Sequence, residues 1–372
     1  MEPQAKKKTF WSTFKNAYLR SKNLKNFWNN LDKKNLSNEL QETFEHYLNS
    51  ESYNWSSKFW RHLTMNHLNL MANSNEKNYK NIISQEYFTF TYFNEAMIKE
   101  ACDKIKDKKM NMNVNLFKKQ DNFTFTKSIN HNLILLLLYE NIKSREVFKF
   151  LNKLKNTDSS KNTKEPFLLI DGVEISQDNL NSLFEYEQID KLLSKVKDKK
   201  NTFLEVGAGS GRTAKSILSI RNNAKYVIAD IPPAINICSN NLKNSFPNKK
   251  IISAFKLNNT DELNKALHSN DILLILPHQI KFFNKKTFDI SIAIDCLHEM
   301  EKKTVKNYMS SFEQVSKLLY FKVWEYAGLP YSFYEYYSAH KKEDYSIKNH
   351  WGEHLNERCL YPSKFFQFGY EF

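Results

Sequence analysis

Hydrophobic positions along this chain follow two rhythms. In the first 155 residues, aromatic and aliphatic side chains recur at helical spacing: Phe10, Trp11, Phe14 and Tyr18, then Leu24, Phe27, Trp28 and Leu31. A second stripe runs through Trp55, Phe59, Trp60, Leu63, His67 and Leu70, and a third extends from Ile129 to Leu154. Apolar residues three and four apart share one face of a helix, so residues 1–155 are expected to be helical, with these stripes packed as core surfaces. Residues 155–165 are polar and aperiodic, which reads as a linker. Beyond residue 202 the rhythm changes. Short apolar runs near 202–206, 225–230, 288–294 and 318–324 alternate with helical patterns. Another strand falls at 251–255 or at 272–276, and the aromatic run 365–372 reads as a last strand. Such alternation predicts the α/β class with a doubly wound, mostly parallel sheet. Two domains are expected, a helical one over 1–165 and an α/β one over 166–372.

Leu168-Leu169-Ile170-Asp171-Gly172 suggests a short strand and turn, after which Ser176 opens a helix carrying Leu180, Leu183, Phe184, Ile189, Leu192 and Leu193. The most informative stretch follows. Glu205-Val206-Gly207-Ala208-Gly209-Ser210-Gly211-Arg212-Thr213 ends an apolar run and leads into a new helical pattern. Three of the seven glycines of the chain fall within it. Glycine admits positive φ and lets a ligand approach the backbone, and the helix beyond presents unpaired N–H groups. A dinucleotide fingerprint would need its third glycine where Arg212 stands, so that pattern is broken. The next apolar run ends on Asp230-Ile231-Pro232-Pro233. A carboxylate at such a strand tip can accept both hydroxyls of a ribose, or cap the helix that starts at Pro232.

The E-x-G-x-G-x-G turn resembles motif I of the class I S-adenosylmethionine-dependent methyltransferases. Three phrases together narrow the resemblance: the turn ending Gly211-Arg212, Ala229-Asp230-Ile231-Pro232-Pro233-Ala234, and Phe288-Asp289-Ile290 leading to Asp295-Cys296-Leu297-His298-Glu299-Met300, with Leu276-Pro277-His278-Gln279 shortly before. This set is similar to sugar O-methyltransferases found among bacterial genes for surface polysaccharide, over roughly residues 165–372. The resemblance implies a Rossmann-like sheet whose last strand is antiparallel, S-adenosyl-L-methionine as cofactor, and a sugar or glycan hydroxyl as acceptor. It implies cofactor contacts from Glu205, Gly207, Ala208, Gly209, Gly211, Asp230 and Ile231. It also implies that the helix before the first strand reaches the amino-acid end of the cofactor, where Tyr186 or Gln188 stands.

Methyl transfer to a hydroxyl needs a base, and histidine is the usual choice at neutral pH. His298 is the expected general base, with Glu299 or Asp295 orienting its ring; capping or packing of the helix expected over Glu301–Leu319 is the alternative. Late in the chain, His340, His350 and His354 lie among Tyr331, Tyr334, Tyr336, Tyr337 and Trp351, which could form an acceptor wall or a covering flap. A helix would place His350 and His354 on one face. Lys322 and Trp324, near the strand at 318–324, read as packing rather than catalytic residues.

Composition changes this picture little. The net charge of +14 permits nucleic-acid contact, but abundant Lys and Asn with scarce Gly is also what an AT-rich genome produces, so no nucleic-acid partner is expected. The four cysteines form no C-x-x-C pair, so neither a metal site nor a disulfide framework is expected, and a reducing cytoplasm fits. No apolar run approaches the ~20 residues needed to cross a bilayer, and no signal peptide is visible. The first aromatic stripe leaves a peripheral membrane contact open. Oligomerisation is likewise open.

Overall fold

The structure, a computed structural model, describes residues 23–74, 125–156, 167–170, 173–197, 199–324, 342–360 and 365–372. The Phe10–Tyr18 stripe, most of the expected linker, Cys102, His340 and the tyrosines of 331–337 lie outside them. The described N-terminal elements are all helical: α1 (Leu24–Asn30), α2 (Asn38–Leu48), α3 (Glu51–Trp55), α4 (Lys58–Ala72), α5 (Phe125–Lys143) and α6 (Leu151–Asn156). Serines begin two of them, since Ser37 and Ser57 accept hydrogen bonds from the Leu40 and Trp60 amides.

A short hairpin, β1 (Phe167–Ile170) and β2 (Val173–Ser176), leads into α7 (Gln177–Leu193), which Ser176 caps through the Asn179 amide. Then follow β3 (Thr202–Val206), α8 (Arg212–Ile220), β4 (Lys225–Ala229), α9 (Ala234–Ser245), β5 (Ile251–Ser253), α10 (Thr260–Ser269), β6 (Ile272–Ile275), β7 (Phe288–Ile294), α11 (Lys302–Val315), β8 (Ser316–Trp324), β9 (Gly352–Arg358) and β10 (Phe365–Glu371). The eight strands from β3 onward form one sheet in the order β5-β6-β4-β3-β7-β8-β10-β9. Pairs from β5 to β8 are parallel, whereas β10 is antiparallel to both neighbours. Setting the edge strand β5 aside and numbering the rest in chain order, the sheet reads 3-2-1-4-5-7-6. That is the class I methyltransferase arrangement, antiparallel penultimate position included.

Both candidates for the third strand are therefore strands. Ile272–Ile275 lies beside β4, while Ile251–Ser253 pairs outside it at the edge. Ile272–Ile275 is buried throughout, as an unbroken apolar run predicts, whereas Ile251–Ser253 is only half-buried at the edge, so the two share an apolar composition but not a position. Alternation then sorts the side chains. Phe203, Tyr226, Ile228, Ile290 and Ile292 pack with α5, α7 and α8 on one face, while Leu204, Val206, Val227, Ala229 and Ala293 pack with α10 and α11 on the other.

Two expectations are corrected. The helix after Glu301 ends at Val315, and Ser316–Leu319 already belong to β8, pairing with β7 from Phe288 onward. His354 lies on a strand, β9, so it shares no helical face with His350. Helices α1, α2 and α4 form a third apolar cluster with Ile237, Phe255 and Leu276, which seats them over the carboxyl ends of β4 to β6. Among the described residues, no helix is long and apolar enough to cross a membrane.

Candidate active site

A cavity of about 460 Å³ opens at the carboxyl ends of β3, β4 and β7, within the ~300–1,000 Å³ range of small-molecule sites. Its floor is the glycine turn. Gly207, Gly209 and Gly211 all have positive φ, at 70°, 56° and 84°. Space is short as well as conformation. A Cβ on Gly207 would lie 2.6 Å from the Cys296 Cβ, and one on Gly211 would lie 2.7 Å from the Cys238 sulfur. Each glycine thus lets the turn sit directly on the loop or helix beside it.

Every cofactor residue implied by the resemblance, apart from Gly211, lines this cavity: Glu205, Gly207, Ala208, Gly209, Asp230 and Ile231. Gly211 starts α8 and donates its amide to Ala208 O at 2.9 Å, closing the turn. Asp230 binds the turn to the tip of β4: its carboxylate accepts from the Gly209 amide at 2.9 Å and the Ile231 amide at 2.7 Å. It does not cap α9, which begins at Ala234. Burial raises the Asp230 carboxyl to about 6, against the opposing pull of those two amides. Burial also raises Glu205, to about 7, although the Tyr226 hydroxyl donates to it at 2.8 Å.

Asp295 and Glu299 stand on the same cavity wall, at the end of β7, whereas His298 does not line it. His298 is turned toward β8 and β10, its ring edge-on to Phe365 at 5.8 Å and its Nδ1 accepting from the Trp324 amide at 3.4 Å. Its Nε2 lies 4.0 Å from Glu299 Oε1, so the carboxylate faces the cavity with the imidazole behind it. Burial pushes Glu299 up to about 8, even though the Trp60 indole N–H donates to Oε2 at 2.8 Å. Asp295 adopts left-handed backbone, φ 57°, held by its amide bond to Lys322 O at 2.9 Å. Its Oδ1 is buried with no hydrogen-bond partner among the described residues.

The preceding helix does reach the site, but through its first turns. Gln177, Asp178 and Asn181 of α7 line the cavity, whereas Tyr186 and Gln188 do not. Tyr186 instead accepts from Arg221 Nε at 3.0 Å. One turn below, Glu185 joins Arg212 at 2.7 Å and Lys322 at 2.9 Å in a buried ion network. Burial opposes the Glu185 charge, but the two cations hold its carboxyl below the usual range. Lys322 is thus a charged member of this buried network, 3.6 Å from Asp295. The signal was present in sequence as Asp178, Ser182 and Glu185 on one helical face, but the partners are supplied by a distant helix start, Arg212 of α8, and a distant strand, Lys322 of β8.

The N-terminal helices complete the enclosure. Ser52, Trp55, Ser56, Ser57, Trp60 and Leu63 form the wall facing Glu299. Ser52 is tied to His278, accepting from its amide at 2.9 Å and meeting Nδ1 at 2.8 Å. Trp55 packs edge-on against Tyr308 at 5.4 Å. The Leu276–Gln279 phrase is structural: Gln279, wholly buried, bonds to the Leu276 amide and to the carbonyls of Ala254 and Leu257. His350 and His354 are paired with Glu313 and Glu371 at 2.9 Å each and do not line the cavity, while Trp351 is buried and donates to Glu313.

Charge sets this cavity apart from the rest of the protein. In a chain of net charge +14, its described lining carries the carboxyls of Asp178, Glu205, Asp230, Asp295 and Glu299 against the single guanidinium of Arg212. Arg212 is already engaged by Glu185. The burial that raises these carboxyls is the cost of gathering negative charge away from water, and a cation in the cavity offsets it.

No protein-family model matches the chain, and no curated protein matches it by sequence. Solved structures do match. An S-adenosylmethionine-dependent methyltransferase from Clostridium acetobutylicum ATCC 824 aligns with 51% of this chain and 89% of its own, at 12% identity and a TM-score of 0.35. The pyocyanin biosynthetic protein PhzM aligns over 63% of each chain at 11% identity and a TM-score of 0.33. The bifunctional kinase-methyltransferase WbdD covers 52% of this chain and 38% of its own, at 15% identity and a TM-score of 0.33. At such values the fold assignment rests on the strand order itself.

Proposed function

We propose that this protein is an S-adenosylmethionine-dependent O-methyltransferase acting on a sugar hydroxyl, in the synthesis of a bacterial surface glycan. The observation that carries the cofactor assignment is the acid-lined cavity over a glycine turn, at the carboxyl edge of a class I methyltransferase sheet. The residues fit that cofactor. Asp230, at the tip of β4, would accept the ribose hydroxyls. Gln177 Oε1 and Asp295 Oδ1, both buried without hydrogen-bond partners among the described residues, would take the ammonium of the amino-acid end. When bound, the cofactor supplies an electrophilic methyl group on a sulfonium.

The acceptor wall supports the sugar reading. Trp55, Trp60 and Tyr308 offer aromatic faces suited to a sugar ring, and Ser52 and Ser57 add hydroxyls. In this reading the helical segment within 1–165 caps the acceptor side of the methyltransferase domain, 166–372. Glu299 takes the proton of the acceptor hydroxyl. A carboxyl held near 8 is a stronger base than an ordinary glutamate and is still partly ionised at neutral pH.

Calorimetry with S-adenosylmethionine tests the cofactor and gives a pH signature. A bound cation favours the ionised carboxyls, so binding lowers their raised pKa values and releases protons. Affinity is therefore expected to be greatest above about 8 and to fall as pH drops toward 6, the span set by Glu299, Glu205 and Asp230. Absence of binding, or affinity that rises on acidification, refutes the cofactor assignment. The acceptor is tested separately, by transfer of a labelled methyl group to surface glycan from a strain lacking the gene; label in RNA and none in glycan would reject the sugar.

A further inference from the structure

We propose that Trp60, on the N-terminal helix α4, is a positioning residue for Glu299, so that the proton-accepting group is assembled by two segments 239 residues apart in the chain. This rests on the assignment of Glu299 as base. The contact is direct, with the indole Nε1 donating to Glu299 Oε2 at 2.8 Å, and both side chains line the cavity. A glutamate on a short loop has three rotatable bonds. A fixed indole donor on one oxygen selects a rotamer and holds the carboxylate plane toward the acceptor.

The surroundings make Trp60 itself well placed. Ser57 caps α4 through the Trp60 amide, setting the first turn of that helix. The adjoining helix α3 is anchored to the sheet domain at three points: Ser52 to His278, the Trp55 carbonyl to the Thr304 hydroxyl at 3.2 Å, and Glu51 to Lys281 at 2.7 Å. The indole thus arrives on a segment clamped to the turn that follows β6 and to the first turn of α11. The other titratable groups near Glu299 are His298, at 4.0 Å, and Asp295 and Cys296 on its own loop, with Tyr308 of α11 lining the same cavity. An indole N–H bond favours the ionised carboxylate over the protonated acid, so the pair responds as a unit to pH.

Nitrogen-15 labelling of the six tryptophans reads this without any substrate. The Trp60 indole N–H signal, assigned by its loss in Trp60→Phe, is expected to titrate in one step near pH 8 and to lose that step in Glu299→Gln. Trp60→Phe is also expected to lower methyl transfer to glycan by about 10–100-fold, the worth of one hydrogen bond to a charged group, with the KM for S-adenosylmethionine nearly unchanged. A Trp60 signal that is flat with pH, or that titrates identically in Glu299→Gln, overturns the proposal, as does full transfer by Trp60→Phe. The titration needs no cofactor, so its result stands apart from failure of the methyltransferase assignment.

Discussion

Asp230→Ala is expected to weaken S-adenosylmethionine binding by about 10²–10⁴-fold in calorimetry. The carboxylate sits at the tip of β4 with one amide bond already made by each oxygen, to Gly209 and to Ile231. Those bonds fix its plane and leave lone pairs for two further donors, which is the requirement of a ribose diol. Two hydrogen bonds to a charged acceptor contribute roughly 3–6 kcal/mol together, and each 1.4 kcal/mol is about tenfold. Alanine also releases the Gly209 amide and loosens the glycine turn, which adds to the loss in the same direction. A thermal melt on the same sample separates misfolding from loss of the site. Binding within about threefold of the parent protein would mean that Asp230 holds the turn and nothing else.

The second large effect concerns the base. Glu299→Gln preserves shape and the acceptor oxygen for Trp60 while removing the capacity to take a proton. Transfer to the glycan acceptor is expected to fall by about 10²–10⁴-fold, the usual contribution of a general base. His298→Ala is expected to lose less than about tenfold, because the imidazole lies behind Glu299 with its ring against Phe365. The two variants therefore rank the candidates. A larger loss in His298→Ala than in Glu299→Gln makes the histidine the base and leaves the carboxylate no part in proton transfer. Rates are best taken near pH 8, where Glu299 is about half ionised.

Much of the sheet domain was legible because its signals are local. Apolar runs of four to seven residues, a glycine turn between strand and helix, and an acid at the next strand tip are all contiguous in sequence, and each appears where its pattern placed it. The ambiguity over 251–255 and 272–276 was of a different kind. Edge and interior strands share an apolar composition, and only the pairing partner distinguishes them. The roles around residue 298 were illegible for a similar reason. Asp295, His298 and Glu299 are all polar residues after one strand, and which of them faces the cavity depends on how the loop turns. That turn is set by the left-handed Asp295 and by the packing of His298 on β10, a strand 67 residues further on. The partners of the histidines near the C-terminus were not legible because the acids they meet, Glu313 on α11 and Glu371 on β10, have no sequence proximity to them.

Taken alone, the sequence determined what short stretches of chain can do by themselves: an α/β domain, a turn that only glycine permits, and the carboxylates at 205 and 230 beside it. These follow from backbone sterics and hydrophobic periodicity, which act over a few residues. The tertiary structure decided everything that depends on which distant groups meet. It gathered Asp178 and Gln177 from a helix, Asp295 and Glu299 from a loop, and Trp55 and Trp60 from the far N-terminal region around one cavity. It also buried Glu185 between Arg212 and Lys322, each on a different element. Electrostatics and desolvation act through space, so a protein of net positive charge can hold an acid-lined hollow that its linear composition does not reveal.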